Sequence, residues 1–483
     1  MKIDLLGGSY ENRFIETNPQ RTVNWYPVVS SQTEQSKTKI SLQPTTGLTL
    51  YITLPGRYLR GLFTVRTHLY TKCFAVVDQT LYEITDHNSY NTIGILSNIP
   101  IGSTKIFMEC DLHNELFIGS YAASYVYNLS TQVLTQVTDI AFPNNVTSVS
   151  YLDQYMIVSA NGAVFESLTT SALNWNVGQT YSPTFKSAPV IAVGVTREQI
   201  FNFTTETIEV FINDGTSPYS RLPRTSMLLG IKAKDSLATF SEGFVFLGGT
   251  RNGETRIFFY DGWNNPLPIS DESIAWQINQ ARTLEDAYGY IQDTKDGQAV
   301  YYLTVPSLNK TFTFSFGAKV WTTRQSTIPY TGSDGTSHQG IFRGIAHTSF
   351  NGKHLFGDQY SAKIFIEDYN NQTEDGNYIY RERISQEIQE DDKNVSHDML
   401  VIDGTSGQST SGEAYLQVSW SDDGGRTFGQ AKFVSLGEQG EYLHRIRLNK
   451  LGTSRRRVYK LVLTDPVPLM IQTAYLNATV GLN

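Results

Sequence analysis

Two adjacent carboxylates on a glycine pair, in the run WSDDGGRTF at residues 420–428, are the first groups in this chain that could do chemistry. Asp422 and Asp423 could ligate a hard cation, act as acid and base on a glycoside, or close a turn. An EF-hand loop needs oxygen ligands at alternating positions and a bidentate carboxylate at its end. The run DDGGRTFGQAKF has no such terminal carboxylate, which argues against calcium. It does fill the pattern Ser-x-Asp-x-Gly-x-Thr-aromatic with Ser421, Asp423, Gly425, Thr427 and Phe428. In a hairpin tip the aspartate accepts bonds from nearby N–H groups, glycine supplies positive φ, and the aromatic ring pins the returning strand. A structural turn is expected here.

The pattern resembles the Asp boxes of sialidases, where they are structural. A sialidase further needs an arginine cluster, a tyrosine nucleophile and acidic partners. The nearest approach to its aromatic-Arg-Ile/Leu-Pro motif is SRLP at residues 220–223, which lacks the aromatic and sits mid-chain. There is no His-Glu-x-x-His, no Gly-rich loop ending in Lys-Ser/Thr and no Gly-x-Ser-x-Gly elbow. Cys73 and Cys110 are too few for a disulfide scaffold and lack metal-ligand spacing. No catalytic residue, cofactor or metal is expected.

One cationic cluster stands out in HRIRLNKLGTSRRRVYK. Strand alternation puts Arg445 and Arg447 opposite Ile446 and Leu448, and Arg455, Arg456, Arg457 and Lys460 follow a Gly-Thr-Ser turn. The plain account is an exposed face with ion pairs to Glu438, Glu441 and carboxylates of the preceding linker. The functional account is a contact for a neighbouring subunit, an adaptor or phosphate, and arginine density favours a protein interface.

The elements that hold these residues are strands. Among 483 residues there are 28 Tyr, 25 Phe and 38 Gly but only 17% charged residues, a balance that favours strands and turns. A two-strand aromatic pattern recurs at Phe74, Leu116, Met156, Ile200, Phe244, Val300 and Leu355, with steps of 42, 40, 44, 44, 56 and 55 residues. That period, with apolar spacing near two, predicts propeller blades, about seven of them. Residues 61–370 are assigned to the propeller and residues 1–60 to a segment packing on it or closing it. The charged run NNQTEDGNYIYRERISQEIQEDDKNVSHD reads as a solvated linker with an edge strand. Beyond it Leu416, Val418 and Trp420, then Ile446 and Leu448, then Tyr459, Leu461 and Leu463 alternate with polar residues, so residues 371–483 are read as a β-sandwich-like domain. The fold class is all-β.

The opening motifs PQRTVNWYPV, SLQPTTGLTLY and RGLF, with the closing WSDDGGRTFGQAKFVSLGEQGEYLHRIRLNKLG and RVYKLVLTDPVPLMIQTAYLNA, resemble the packaged-DNA stabilisation proteins of short-tailed bacteriophages. They cover about the first sixty and last seventy residues. One departure is Thr46, where the family pattern expects a second proline. The resemblance implies a tail hub or nozzle in the virion tail, made in the host bacterial cytoplasm. It implies a homohexamer beneath the portal, with contacts to the portal adaptor, a tail fibre or spike and a distal plug, and packaged DNA in the lumen. It carries no catalytic residue. The net charge of −8 fits a passage to which DNA does not adhere and argues against a general nucleic-acid coat. No apolar run reaches the length of a membrane span, and none near the N-terminus reaches that of a signal peptide. The competing reading is a carbohydrate-binding or sialidase-like propeller acting in receptor recognition.

Overall fold

The computed structural model describes the whole chain except residues 1, 4, 12, 14–17, 30–39, 103, 112, 170, 177–180, 216–218, 241–242, 294–298, 330–336, 392, 411 and 482–483. Seven antiparallel sheets follow one another around an axis. Blade 1 is built from Leu59–Arg66, Thr71–Val77, Thr80–Asp86 and Ser89–Ile95. Blade 2 begins at Phe107–Cys110, blade 3 at Val146–Leu152 and blade 4 at Val190–Thr196. Blade 5 centres on Gly243–Gly249 and Arg256–Tyr260, blade 6 on Ala299–Val305 and Lys310–Ser315, and blade 7 on Lys353–Asp358 and Lys363–Asp368. All seven recurring sequence positions fall on the second strand of a blade. Those strands read as apolar runs because blades cover both their faces: every residue of Glu115–Gly119, Gly243–Gly249 and Ala299–Val305 is buried.

An apolar cluster fills each of the seven junctions between blades. Phe312, Phe314 and Phe316 share the one between blades 5 and 6. The two long sequence steps have physical causes. A short helix, Glu272–Ile278, capped by the Asp271 carboxylate on the Ile274 N–H, lies between blades 5 and 6. The long strand Val320–Pro329 of blade 6 pairs with Ser337–Ile341 before blade 7 begins.

The wheel closes with a strand from the other end of the chain. Gly47–Thr53 pairs antiparallel with Lys363–Asp368 as the outer strand of blade 7. Leu48 and Ile52 are buried on the two sides of that blade. Gly47 must be glycine, since a Cβ there would stand 2.5 Å from the Asn371 and Thr373 carbonyl oxygens.

The second body is a two-sheet sandwich. One sheet orders Trp25–Val29, Ile40–Pro44, Ile471–Val480, Val395–Gly404 and Ile446–Asn449, with Lys2–Ile3 on the long Ile471–Val480 strand. The other orders Arg21–Val23, Arg381–Ile384, Arg456–Leu463, Tyr415–Ser421 and Lys432–Ser435. Leu416, Val418, Ile446, Leu448, Tyr459, Leu461 and Leu463 all face the core between them. Thus, of the segment read as packing on or closing the propeller, Gly47–Thr53 closes it while the strands before residue 45 are built into the sandwich.

The two bodies are joined by hydrogen bonds. Arg21–Val23 pairs in parallel with Val320–Pro329 of blade 6 and antiparallel with Arg381–Ile384 of the sandwich, so one sheet runs through both. Asn24 sits at this joint, fully buried, with φ of 54°. Its amide donates to the Gln325 and Tyr380 carbonyls, both at 2.8 Å, and accepts from the Gln325 N–H at 3.0 Å. The next residue, Trp25, is also fully buried and donates to the Leu469 carbonyl.

The charged run after blade 7 is therefore not a solvated linker. Arg381 and Arg383 are 0% exposed and Glu382 is 3% exposed. Arg383 is tolerated there because its guanidinium donates to the Leu5 and Gly8 carbonyls, the Thr22 hydroxyl and the Gln20 side chain. Among the described residues no helix is long and apolar enough to cross a membrane.

Candidate functional site

The pair of carboxylates is divided between two tasks. The Asp423 carboxylate accepts from the backbone N–H groups of Arg426 and Thr427 and from the hydroxyls of Ser421 and Thr427. The Ser421 hydroxyl also accepts from the Gly425 N–H at 2.9 Å, while Gly424 and Gly425 take φ of 77° and 93°. Bonds from Ser421 first, then Thr427, hold the Asp423 carboxyl well below the usual carboxylate range. Phe428 packs under the Lys460 ammonium at 5.3 Å. Ser421, Asp423, Gly425, Thr427 and Phe428 form one hairpin tip, with no group of three metal-ligating side chains among the described residues.

Because its folded-state pKa is depressed, Asp423 stabilises the hairpin above the ordinary carboxylate range and loses that contribution as pH falls through its own pKa. Asp423→Ala is expected to lower Tm at neutral pH, and the gap from wild type should narrow on acidification. Thermal melts across an acid series check both parts.

Asp422 holds an arginine. Its two oxygens accept from Arg457 Nε at 2.6 Å and Nη2 at 2.9 Å, and Arg457 Nη1 donates to the Leu451 carbonyl at 2.7 Å. Arg457 is 1% exposed, on the same face of its strand as Tyr459, Leu461 and Leu463. This corrects its place in the cationic cluster: it faces inward and is no interface residue. Arg456 pairs with Glu387 at 2.8 Å and Lys460 with Glu382 at 3.0 Å, so both are held within the sandwich. Arg445, Arg447 and Arg455 remain exposed. The first two flank and alternate along Ile446–Asn449, the edge strand of its sheet. Of the carboxylates expected to pair with the cluster, Glu382 and Glu387 of the preceding run do so, while Glu441 faces His444 and the Glu438 backbone N–H.

The wheel's own axis is a narrow channel of about 260 Å³, walled by innermost strands. Arg60 lines it, yet its guanidinium donates to the Asp78, Pro100 and Thr104 carbonyls, each at 2.8 Å. Lys105 and Lys234 flank Asp235 at 3.8 and 3.1 Å. Glu109 faces the same space, and burial pushes its carboxyl up to about 7. Arg221 of the SRLP run lies on the outer strand of blade 4, 3.9 Å from Glu209 and away from the channel. The channel has one arginine among its lining residues, and the cluster that would grip a sialic acid carboxylate is not assembled there.

Sequence reasoning missed the polar seam between the bodies. Arg324 of blade 6 is buried, donating to the Tyr302 hydroxyl and the Thr46 carbonyl, with Glu374 at 3.9 Å and the Phe342 ring centroid at 4.1 Å. Arg381 donates to the Thr45 carbonyl and Gln372. Burial, only partly offset by Arg324, raises the Glu374 carboxyl. The signal was the excess of charge between the propeller repeats and the sandwich, and partners as far as 336 residues away decide its meaning.

Comparison with known proteins gives two family matches. Residues 1–370 match a family model described as Bacteriophage P22 Gp10, beta-propeller, and residues 380–479 one described as Bacteriophage P22 Gp10, beta-sandwich. No curated protein matches the chain. Solved structures similar to it include the mitotic checkpoint complex, at 12% identity over 71% of this chain and 96% of that one, TM-score 0.46. The Neurospora crassa Pan2 WD40 domain matches at 7% identity over 67% and 95%, TM-score 0.40. The N-terminal domain of Nup159 matches at 10% identity over 70% and 97%, also with TM-score 0.40.

Proposed function

Since the chain belongs to the phage stabilisation, or tail hub, family of bacteriophage P22 Gp10, we propose that it forms a closed ring around the tail axis of a short-tailed phage. Membership makes it a structural phage protein of the virion tail. In the proposed ring, about six copies continue the DNA passage below the portal and its adaptor and help to retain the packaged genome. A tail fibre or spike and a distal plug bind the same hub, and the subunits are made in the host cytoplasm. It acts by shape and contact, without turnover of a substrate.

The observation that carries this reading is that the family matches cover the propeller and the sandwich alike. The fold supports it in two ways. A propeller hydrogen-bonded to a sandwich is a stiff wedge, and wedges close into rings by head-to-tail contacts. The propeller's own channel is far too small for a duplex, so DNA would run between copies. The net charge of −8 suits a lumen that DNA slides through.

Arg445, Arg447 and Arg455 are the surface we assign to the neighbouring copy or the adaptor. Purified protein, alone or with adaptor, is expected to give rings by light scattering and electron microscopy. The double reversal Arg445→Glu, Arg447→Glu should reduce ring formation at least tenfold with an unchanged melting curve. Rings that persist in the variant would remove this surface from the contact, and hydrolysis of a sialoside by pure protein would defeat the structural reading.

A further inference from the structure

The channel on the wheel's axis gathers more positive charge than its own wall answers. Six of the seven blades supply its sides, through Leu62, Phe107, Val149, Val193, Leu237 and Ile345 among others, and the space is about 260 Å³. That is room for a small organic molecule, well beyond the need of a single water. Three of the residues lining it are cationic: Arg60, Lys105 and Lys234.

Arg60 is 2% exposed, and the hydrogen bonds of its guanidinium go to carbonyl oxygens alone. Its own carbonyl accepts from the Ile106 N–H at 3.0 Å, which sets Lys105 beside it on the next blade. The Lys105 ammonium stands 3.8 Å from Asp235 Oδ1, beyond hydrogen-bond reach, and that oxygen has no hydrogen-bond partner. Lys234 bonds the other Asp235 oxygen at 3.1 Å and lies 4.5 Å from the centroid of the Phe107 ring. Asp78 acts on Arg60 but is not part of the channel wall, and its carboxylate accepts from the Arg57 and Tyr58 N–H groups. Glu109 is the second acid of the wall, and burial pushes its carboxyl up to about 7. The lining residues thus hold a surplus of two positive charges when Glu109 is protonated and of one when it is ionised, in a chain whose net charge is −8.

That surplus selects the guest. A phosphomonoester carries about −1.5 to −2 charges at pH 7, whereas a carboxylate brings only one. Lysine ammoniums suit phosphate as point charges, while the planar fork of the single arginine, which would suit a carboxylate, is taken up by carbonyls. Leu62, Phe107 and Ile345 give an organic body an apolar wall to lie on. The geometry points to a site for one small phosphomonoester in the propeller channel, its phosphate held by Lys105 and Lys234 and its organic part against Phe107. A guest in this space meets the inner strands of six blades and braces the wheel from within.

The test is calorimetric titration of the full-length protein with phenyl phosphate, inorganic phosphate and benzoate at equal ionic strength, beside melting curves in the same solutions. Phenyl phosphate is expected to bind once per chain, at least about tenfold tighter than benzoate or inorganic phosphate. Above its dissociation constant it should raise Tm by roughly 3 °C per tenfold concentration. Lys105→Met and Lys234→Met should each weaken binding at least about tenfold, the worth of one hydrogen bond to a charged group. Arg221→Gln, on the outer strand of blade 4, should leave it unchanged. Phe107→Leu should weaken phenyl phosphate and spare inorganic phosphate, and it decides the matter if neither lysine variant folds. Phenyl phosphate that fails to bind, or benzoate that binds as tightly, would overturn the inference. Binding that survives both lysine substitutions would overturn it as well.

Discussion

Asn24→Ala is expected to loosen the joint between propeller and sandwich by about 3–5 kcal/mol. Three buried hydrogen bonds disappear, leaving the Gln325 and Tyr380 carbonyls and the Gln325 N–H without partners at a fully buried position. Each such orphan costs about 1 kcal/mol or more. Alanine must also adopt φ of 54°, which costs it roughly a further 1–2 kcal/mol. The variant Asn24→Gly separates the two terms, since glycine accepts that backbone and loses the bonds alone. A chain of two bodies need not unfold in one step, so the readout is the appearance of two transitions and faster proteolysis near residues 370–380. One wild-type-like transition in both variants would mean that the bodies are held together elsewhere.

The second large effect concerns the arginines of the sandwich. Arg457→Met keeps the volume and removes the charge, and it should destabilise the sandwich by about 2–4 kcal/mol. The lower end is favoured because Asp422, 45% exposed, can rehydrate once its partner is gone. The Leu451 carbonyl loses its donor as well. Reversing Arg445 and Arg447 should move stability by no more than about 0.5 kcal/mol, as is usual for exposed positions. Denaturant titrations of Arg457→Met and of the double reversal check the division between a buried strut and a contact surface. Equal stability losses would undo it.

The wheel was legible because its second strands carry runs that only burial on both faces explains. A single recurring two-strand pattern therefore found all seven blades. Closure was not legible: the partner of Gly47–Thr53 lies more than 300 residues along, and neither strand names the other. In the run of three arginines, one residue of phase decides between solvent and core, and the pairing of Arg456–Leu463 with Tyr415–Ser421 and with Ile388–Gln389 fixes it. Arg381 to Arg383 misled for a related reason. Their polarity is answered by carbonyls of Leu5, Gly8 and Thr45, which composition cannot reveal. Asp423 was easier, since every donor to its carboxylate lies within four residues.

The interleaving of the first fifty residues with the last hundred bears on synthesis. Lys2–Ile3 and Trp25–Val29 share a sheet with Ile471–Val480, so strands made early wait for one made hundreds of residues later. A nascent chain stopped near residue 370 could close its wheel but would carry unpaired strands at its front, open to proteases and to mispairing. A copy that stops short of Ile471–Val480 therefore lacks the strand that ties these early elements into the sandwich.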